Sequence, residues 1–297
     1  MNITEKLDLA IKSNETGTTD GAYTLSHKGS MHYKAAYMTN DEWAEFFKTM
    51  PTKAYEEYNK SADDILFEKN GQPPKMASYG SAKRMIYNLS RDIEGFHFEK
   101  KLPATIGGKT SIDGFCEYDN RYAFVEAKCH EPYSMRRNSS ALAYSDLYNY
   151  INERMIGQIQ IETRPSTCGR YLNADYFAYG ERLERFDMKQ TLCHLLGIAG
   201  GLLNGTFKRK QIDYIYLLYD PTELDIEPDL KDRVDEIYER ICYECNLVEI
   251  PELFRVILEF LNETKFGNSL SYEDIDDIIF KFTFTLASQE FYPILMQ

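Results

Sequence analysis

Three ionisable residues stand out by type and spacing: Asp113, Glu126 and Lys128. They sit in two short segments, SIDGFCEY at 111–118 and RYAFVEAKC at 121–129, separated by Asp119-Asn120. Both of these residues tolerate the positive φ of a two-residue hairpin turn. A turn there pairs 118 with 121 and, counting outward, sets Asp113 opposite Glu126, with Cβ atoms about 5 Å apart. Lys128 is two residues beyond Glu126 and shares its face. Ala123, Val125, Ala127 and Cys129 form the other, apolar face. Opposed carboxylates repel, so Lys128, a shared proton or a bound cation must offset them. Carboxylate oxygens with an open position suit Mg2+ or Mn2+. Such an ion polarises a phosphoryl oxygen and lowers the pKa of a bound water, and an adjacent ammonium stabilises charge developing on phosphorus. That chemistry is phosphodiester hydrolysis. The plainer alternative is a charged hairpin face with a cross-strand ion pair.

The flanking elements must hold these groups in place. SYGSAKRMIYNLSRDIEG (78–95) carries Ala82, Met85, Ile86 and Leu89 at helical spacing and stops at Gly95. FHFEKKL (96–102) alternates as a strand does, and if 102 pairs with 110, Glu99 also opposes Asp113. Residues 140–163 are expected to form a long helical region, followed by a break at RPSTCGR. An apolar helix then opens at Asp187, an N-cap residue. IDYIYLLYD (212–220) is expected to be a buried strand closed by Pro221. Helices are expected from Thr39, over 53–68, and at about 229–246, 251–264 and 271–284. Residues 1–38 read as a loosely structured arm. The order is helix, three strands, helices, strand, helices, an α/β or α+β fold with a mixed sheet. Residues 1–75 would pack on a core spanning 76–221, and 222–297 would add an acidic helical extension, all within one compact domain.

IDGF at 112–115 and VEAK at 125–128, after a helix and a strand, resemble the PD-(D/E)XK nuclease superfamily. Ser81-Ala82, FEKKL at 98–102, Gly107-Gly108, EAKCHEPY at 126–133 and DMKQTLCHLLG at 187–197 resemble a bacterial restriction-endonuclease-like group within it. The likeness covers about residues 78–221 and implies a restriction-endonuclease-like core: helix, antiparallel three-stranded meander, helices and a further strand. It makes Asp113 and Glu126 metal ligands and Lys128 the catalytic lysine. Ile112 stands where the family name has proline. Many relatives add an upstream acid, for which Glu99 is preferred to Glu94. Glu131 is either a supporting acid or a surface charge. Gln158 and Gln160 fall where relatives place a polar residue near the metal. Lys189, Gln190 and His194 form either a polar stripe toward the site or a capped helix start with His194 hydrogen-bonded in the core. Lys100, Lys101, Lys109, Arg136 and Arg137 are candidates for a nucleic-acid path. The expected cofactor is Mg2+ or Mn2+, and the expected partner is DNA, with a homodimer possible. A catalytically inactive DNA-binding or protein-interaction module is one alternative; a metal-dependent hydrolase of other phosphoesters is another.

Composition limits these readings. The 297 residues are 43% hydrophobic and 27% charged, an ordinary globular balance. No apolar run reaches the ~20 residues of a membrane span, and the first residues lack a basic, apolar leader, so a cytoplasmic protein without membrane association is expected. The net charge of −13 opposes a polyanionic partner, but it is uneven: residues 1–74 carry −4, 75–170 carry +3 and 171–297 carry −12. A phosphate-binding surface therefore belongs in the middle third. Cys242 and Cys245 form a lone C-x-x-C on a helix and are expected to pack rather than bind metal. No G-x-x-x-x-G-K-[ST] loop occurs, which argues against an ATP-driven motor.

Overall fold

A computed structural model describes residues 2–61, 64–133, 139–166, 171–208, 211–287 and 291–296. The chain begins with α1 (Ile3–Thr16), β1 (Tyr23–His27), β2 (Ser30–Lys34), α2 (Asn40–Thr49) and α3 (Thr52–Ser61). Next come α4 (Ala82–Ser90), β3 (His97–Leu102), β4 (Thr110–Glu117) and β5 (Arg121–Lys128). A second group holds β6 (Ser139–Ala141), α5 (Ser145–Arg154), β7 (Ile159–Pro165), β8 (Tyr171–Ala178) and β9 (Glu181–Arg182). The chain then forms α6 (Met188–Leu203), β10 (Gln211–Leu218), α7 (Pro228–Leu247), α8 (Ile250–Thr264), α9 (Tyr272–Asp276), β11 (Phe280–Leu286) and α10 (Phe291–Met296).

The larger sheet has the order β11-β10-β5-β4-β3. β3, β4 and β5 form an antiparallel meander, and β10 and β11 add in parallel beyond β5. The hairpin has the expected register: Glu117 pairs with Tyr122, Cys116 with Ala123, and Tyr118 N–H donates to Arg121 O at 2.9 Å. α4 packs on β4 and β5, α3 on β3, and α6 on β3 and β4. The smaller sheet, β6-β8-β7 with β9 paired to β8, is antiparallel. α8 lies against α5, α6 and β11. One continuous set of buried apolar side chains runs from Leu7 to Leu295. Among the described residues no helix is long and apolar enough to cross a membrane.

Several sequence expectations need correction. Residues 2–38 hold a helix and a hairpin rather than a loose arm. α1 starts in a capping box formed by Asn2 and Glu5 and stops at Gly17, whose φ of 75° suits a left-handed cap. The Lys12 ammonium, almost wholly buried, then ties α1 to the following hairpin by donating to the carbonyls of Asp20 (2.8 Å), Gly21 (2.9 Å) and Ala35 (3.0 Å). The helix expected over 53–68 ends at Ser61. Residues 140–163 are not one helix: α5 ends at Arg154, Gly157 turns the chain with φ 77°, and β7 follows. Ile159 and Ile161 are buried while Gln160 and Glu162 are exposed, the period-two pattern of a strand. Residues 271–284 are likewise a short helix followed by β11.

Candidate functional site

The last hydrogen-bonded pair of β4 and β5 before the strands part is Gly114 with Val125. Asp113 and Glu126 occupy the next rung. There the Asp113 side chain replaces backbone pairing: its Oδ2 accepts from Ala127 N at 2.8 Å. This fixes the carboxylate and leaves Oδ1 free to meet other groups. On the other side, β3 pairs with β4 through Phe98–Gly114 and Lys100–Ile112, so Glu99 faces Asp113 as expected. Glu99 has a φ of 52°, left-handed geometry that is uncommon for a residue with a Cβ. Strain of this kind persists where surrounding contacts demand it. Here Glu99 Oε2 accepts from Ser61 Oγ at 2.7 Å, at the C-terminal end of α3. Glu94 lies exposed in the turn after α4, so Glu99 is the upstream acid that joins the cluster.

Lys83, in the first turn of α4, ion-pairs with both Glu99 Oε1 and Asp113 Oδ1. Lys128 sits deeper. Its ammonium is 2.6 Å from Glu126 Oε1, 3.7 Å from Asp187 Oδ2, and donates to Gln190 Oε1 at 2.6 Å. Lys128 thus engages Glu126 Oε1, while Oε2, 3.6 Å from His194 Nδ1, has no hydrogen-bond partner among the described residues. Asp187 caps α6 by accepting from Gln190 N at 3.0 Å, and the same turn delivers Gln190 to Lys128. His194, one turn later, is fully buried. Its Nε2 is 3.1 Å from Ser111 O, a pure acceptor, so Nε2 carries the proton and Nδ1 accepts from Tyr214 Oη at 3.1 Å.

Burial and mutual charge set the protonation states. Burial, reinforced by Asp113, lifts Glu126 to about 8 despite Lys128 beside it. Burial also lifts Glu99, partly countered by Lys83. Burial opposes ionisation of Asp113, but Lys83 and Lys128 outweigh it and hold its pKa below the ordinary value. Burial disfavours both ammoniums; the carboxylates around them overcome it and raise both pKa values. Burial and Lys128 lower His194 to about 4. Near neutral pH the cluster thus holds two ammoniums, ionised Asp113, a neutral imidazole and a Glu126 poised to keep a proton.

Some expected residues fall elsewhere. Glu131 Oε2 accepts from Cys129 N at 2.8 Å in the turn after β5, and its charge helps to raise Lys128. Gln158 lies in the turn between α5 and β7, and its backbone bonds to Met155 and Tyr179; Gln160 is exposed on β7. Neither lies on a helix, because the one expected to carry them ends at Arg154: Gln158 is in the turn and only Gln160 is in the smaller sheet. Lys189 is half-buried on α6 near Cys193. Lys100 lies 4.8 Å above the Phe115 ring, Lys101 donates to Lys60 O at 2.7 Å, and Lys109 is exposed. Arg136 and Arg137 lie outside the described residues. Cys245 is buried and Cys242 half-buried on α7, both as free thiols. Sequence reasoning missed Lys83 and Ser61. Neither carries a motif signal, since each reaches the cluster only through tertiary packing.

The donor chemistry fits a hard cation, but the geometry is not open for one. Two ammoniums contact four carboxylates (Glu99, Asp113, Glu126 and Asp187). If all four ionise, two negative charges remain, the complement of one divalent ion. Among the described residues, however, no three His, Cys, Asp or Glu side chains converge as an ion-ready set. The space against Glu99 and Asp113 is filled by the Lys83 ammonium instead. Comparison with family models, curated proteins and solved structures gives no match.

Proposed function

We propose that the chain is a divalent-metal-dependent nuclease of PD-(D/E)XK type that hydrolyses DNA phosphodiester bonds. The observation that carries this reading is the rung where β4 and β5 part. There Asp113, pinned by Ala127 N, meets Glu126, whose Oε2 has no hydrogen-bond partner among the described residues, and Lys128 lies against Oε1 in the grip of Gln190. The helix–meander–helix–strand order of α4, β3–β5, α6 and β10 also agrees with a restriction-endonuclease-like core. Asp113 Oδ1 and Glu126 would hold Mg2+ or Mn2+, which when bound polarises a phosphoryl oxygen and acidifies a water. Lys128 keeps its proton, so it serves as a fixed positive charge for the developing phosphorane oxygens rather than as a base. Gln190 and Asp187 fix the direction of that charge. Neutral His194 braces α6 against β4 and β10 and takes no proton from substrate.

A second reading is favoured by a specific observation. Lys83 stands in the cation position, and Asp113, Glu126 and Lys128 are each under 5% exposed. A nuclease fold kept as a non-catalytic DNA- or protein-binding module would look the same, and the overall charge of −13 suits a protein partner better than DNA. Plasmid nicking with Mg2+ or Mn2+, by wild type, Asp113→Asn and Lys128→Ala, separates the two. The nuclease reading requires metal-dependent cleavage by wild type alone. Intact plasmid with all three would leave the binding module.

A further inference from the structure

Lys83 is the most exposed charged side chain of the cluster, ahead of Asp187 at 14%. Its side chain is 24% exposed, against 5% or less for Glu99, Asp113, Glu126 and Lys128. It therefore forms the outer wall of the cluster, with the carboxylates behind it. Its ammonium pairs with Asp113 Oδ1, an oxygen that the proposed function gives to a divalent ion. Behind it, Glu126 Oε1 meets Lys128, and Oε2 has no hydrogen-bond partner among the described residues. Ammonium and ion are two claimants for one position. The ammonium is a compact charge on a four-carbon stem, so it can leave by side-chain rotation alone.

We propose that Lys83 is a built-in stopper of the cation site. In the ion-free protein it ion-pairs with Glu99 and Asp113. A divalent ion reaches Asp113 and Glu126 only by driving Lys83 outward into solvent. The inference rests on the metal-dependent reading above. A tethered competitor acts at high effective concentration, so the wild-type chain binds ions weakly until the ammonium is removed. The effect follows charge rather than shape, and arginine in its place would compete as lysine does.

The test is Mn2+ binding to the full-length chain, read from the paramagnetic resonance of free Mn2+. Lys83→Gln binds Mn2+ tighter than wild type by on the order of tenfold or more, the effect of removing one charge at ion-pair distance. Lys83→Arg stays near wild type, and Asp113→Asn, the site control, loses binding. In wild type, acetylation of Lys83 followed by mass spectrometry rises severalfold on adding Mn2+, because the displaced amine becomes accessible. Equal or weaker binding by Lys83→Gln, with Asp113→Asn still silent, overturns the stopper and leaves the metal-dependent reading standing. No Mn2+ binding by wild type or Lys83→Gln overturns both. Should Lys83→Gln fail to fold, the wild-type labelling decides: reactivity of Lys83 unchanged at saturating Mn2+ overturns the stopper.

Discussion

His194 gives a prediction whose size follows from its surroundings. The imidazole is fully buried, donates to Ser111 O and accepts from Tyr214 Oη, with Lys128 close enough to repel a second proton. Its pKa falls from the ordinary 6.5 to about 4. Between those values the unfolded chain takes a proton that the folded chain refuses. Stability is therefore present above pH 6.5 and is lost as pH falls toward 4. A gap of about 2.5 pH units, at about 1.4 kcal/mol each, amounts to about 3 kcal/mol. Glu126 acts in the opposite sense. Its pKa rises from 4.5 to about 8, so the folded chain keeps a proton that the unfolded chain has released, and stability is lost as pH rises through that window. The two slopes cancel between about 4.5 and 6.5 in wild type, which hides both. His194→Gln removes only the first. In urea unfolding followed by circular dichroism, with chelator present, the stability gap between wild type and His194→Gln shifts by about 3 kcal/mol between pH 7.5 and 4, to the disadvantage of wild type in acid. A gap that stays constant with pH would show that His194 titrates normally, and the protonation scheme of the cluster would have to be abandoned.

Three further outcomes follow from particular contacts. Lys128→Ala and Asp113→Asn each lower metal-dependent plasmid cleavage by about a thousandfold or more while circular dichroism still reports a folded chain; near-wild-type turnover by either removes that residue from the chemistry. Lys12→Met strands three backbone carbonyls that the ammonium now satisfies, so urea unfolding should show a loss of about 2–4 kcal/mol; a change below about 0.5 kcal/mol would mean that the N-terminal region is not secured this way. Gly114→Ala places a Cβ 2.3 Å from Cζ of the buried Phe96 ring, beside the rung that holds Asp113; overpacking costs about 1–3 kcal/mol, and an unchanged denaturation midpoint counts against that close contact.

What the sequence disclosed, and what it hid, divides along a physical line. The β4–β5 register was legible because a two-residue Asp-Asn turn leaves little freedom in counting outward, and the apolar face at 123–129 forbids a one-residue slip. The Asp187 cap was legible because capping is local. β7 and β11 were lost to helix readings, although Ile159-Gln160-Ile161-Glu162 and Phe280-Lys281-Phe282-Thr283-Phe284 alternate plainly. Gln, Glu and Lys between the apolar residues favour helix locally, and pairing with β8 and β10 overrides that preference. The N-terminal region hid for a different reason. It is polar, and its anchor is a buried ammonium held by carbonyls, which hydropathy counts as surface. Lys83 hid for the same reason. On α4 it looks like any solvated lysine beside an apolar stripe, and only the arrival of Glu99 and Asp113 from two later strands turns it into a counter-ion. Charges satisfied across long sequence separations are the part of a site that local pattern reading cannot reach. That places the decisive question about this chain at the rung behind Lys83: if the protein takes up a divalent ion there, the residues read from the sequence are a working site, and if neither wild type nor Lys83→Gln does, the same residues are a buried ion-pair network.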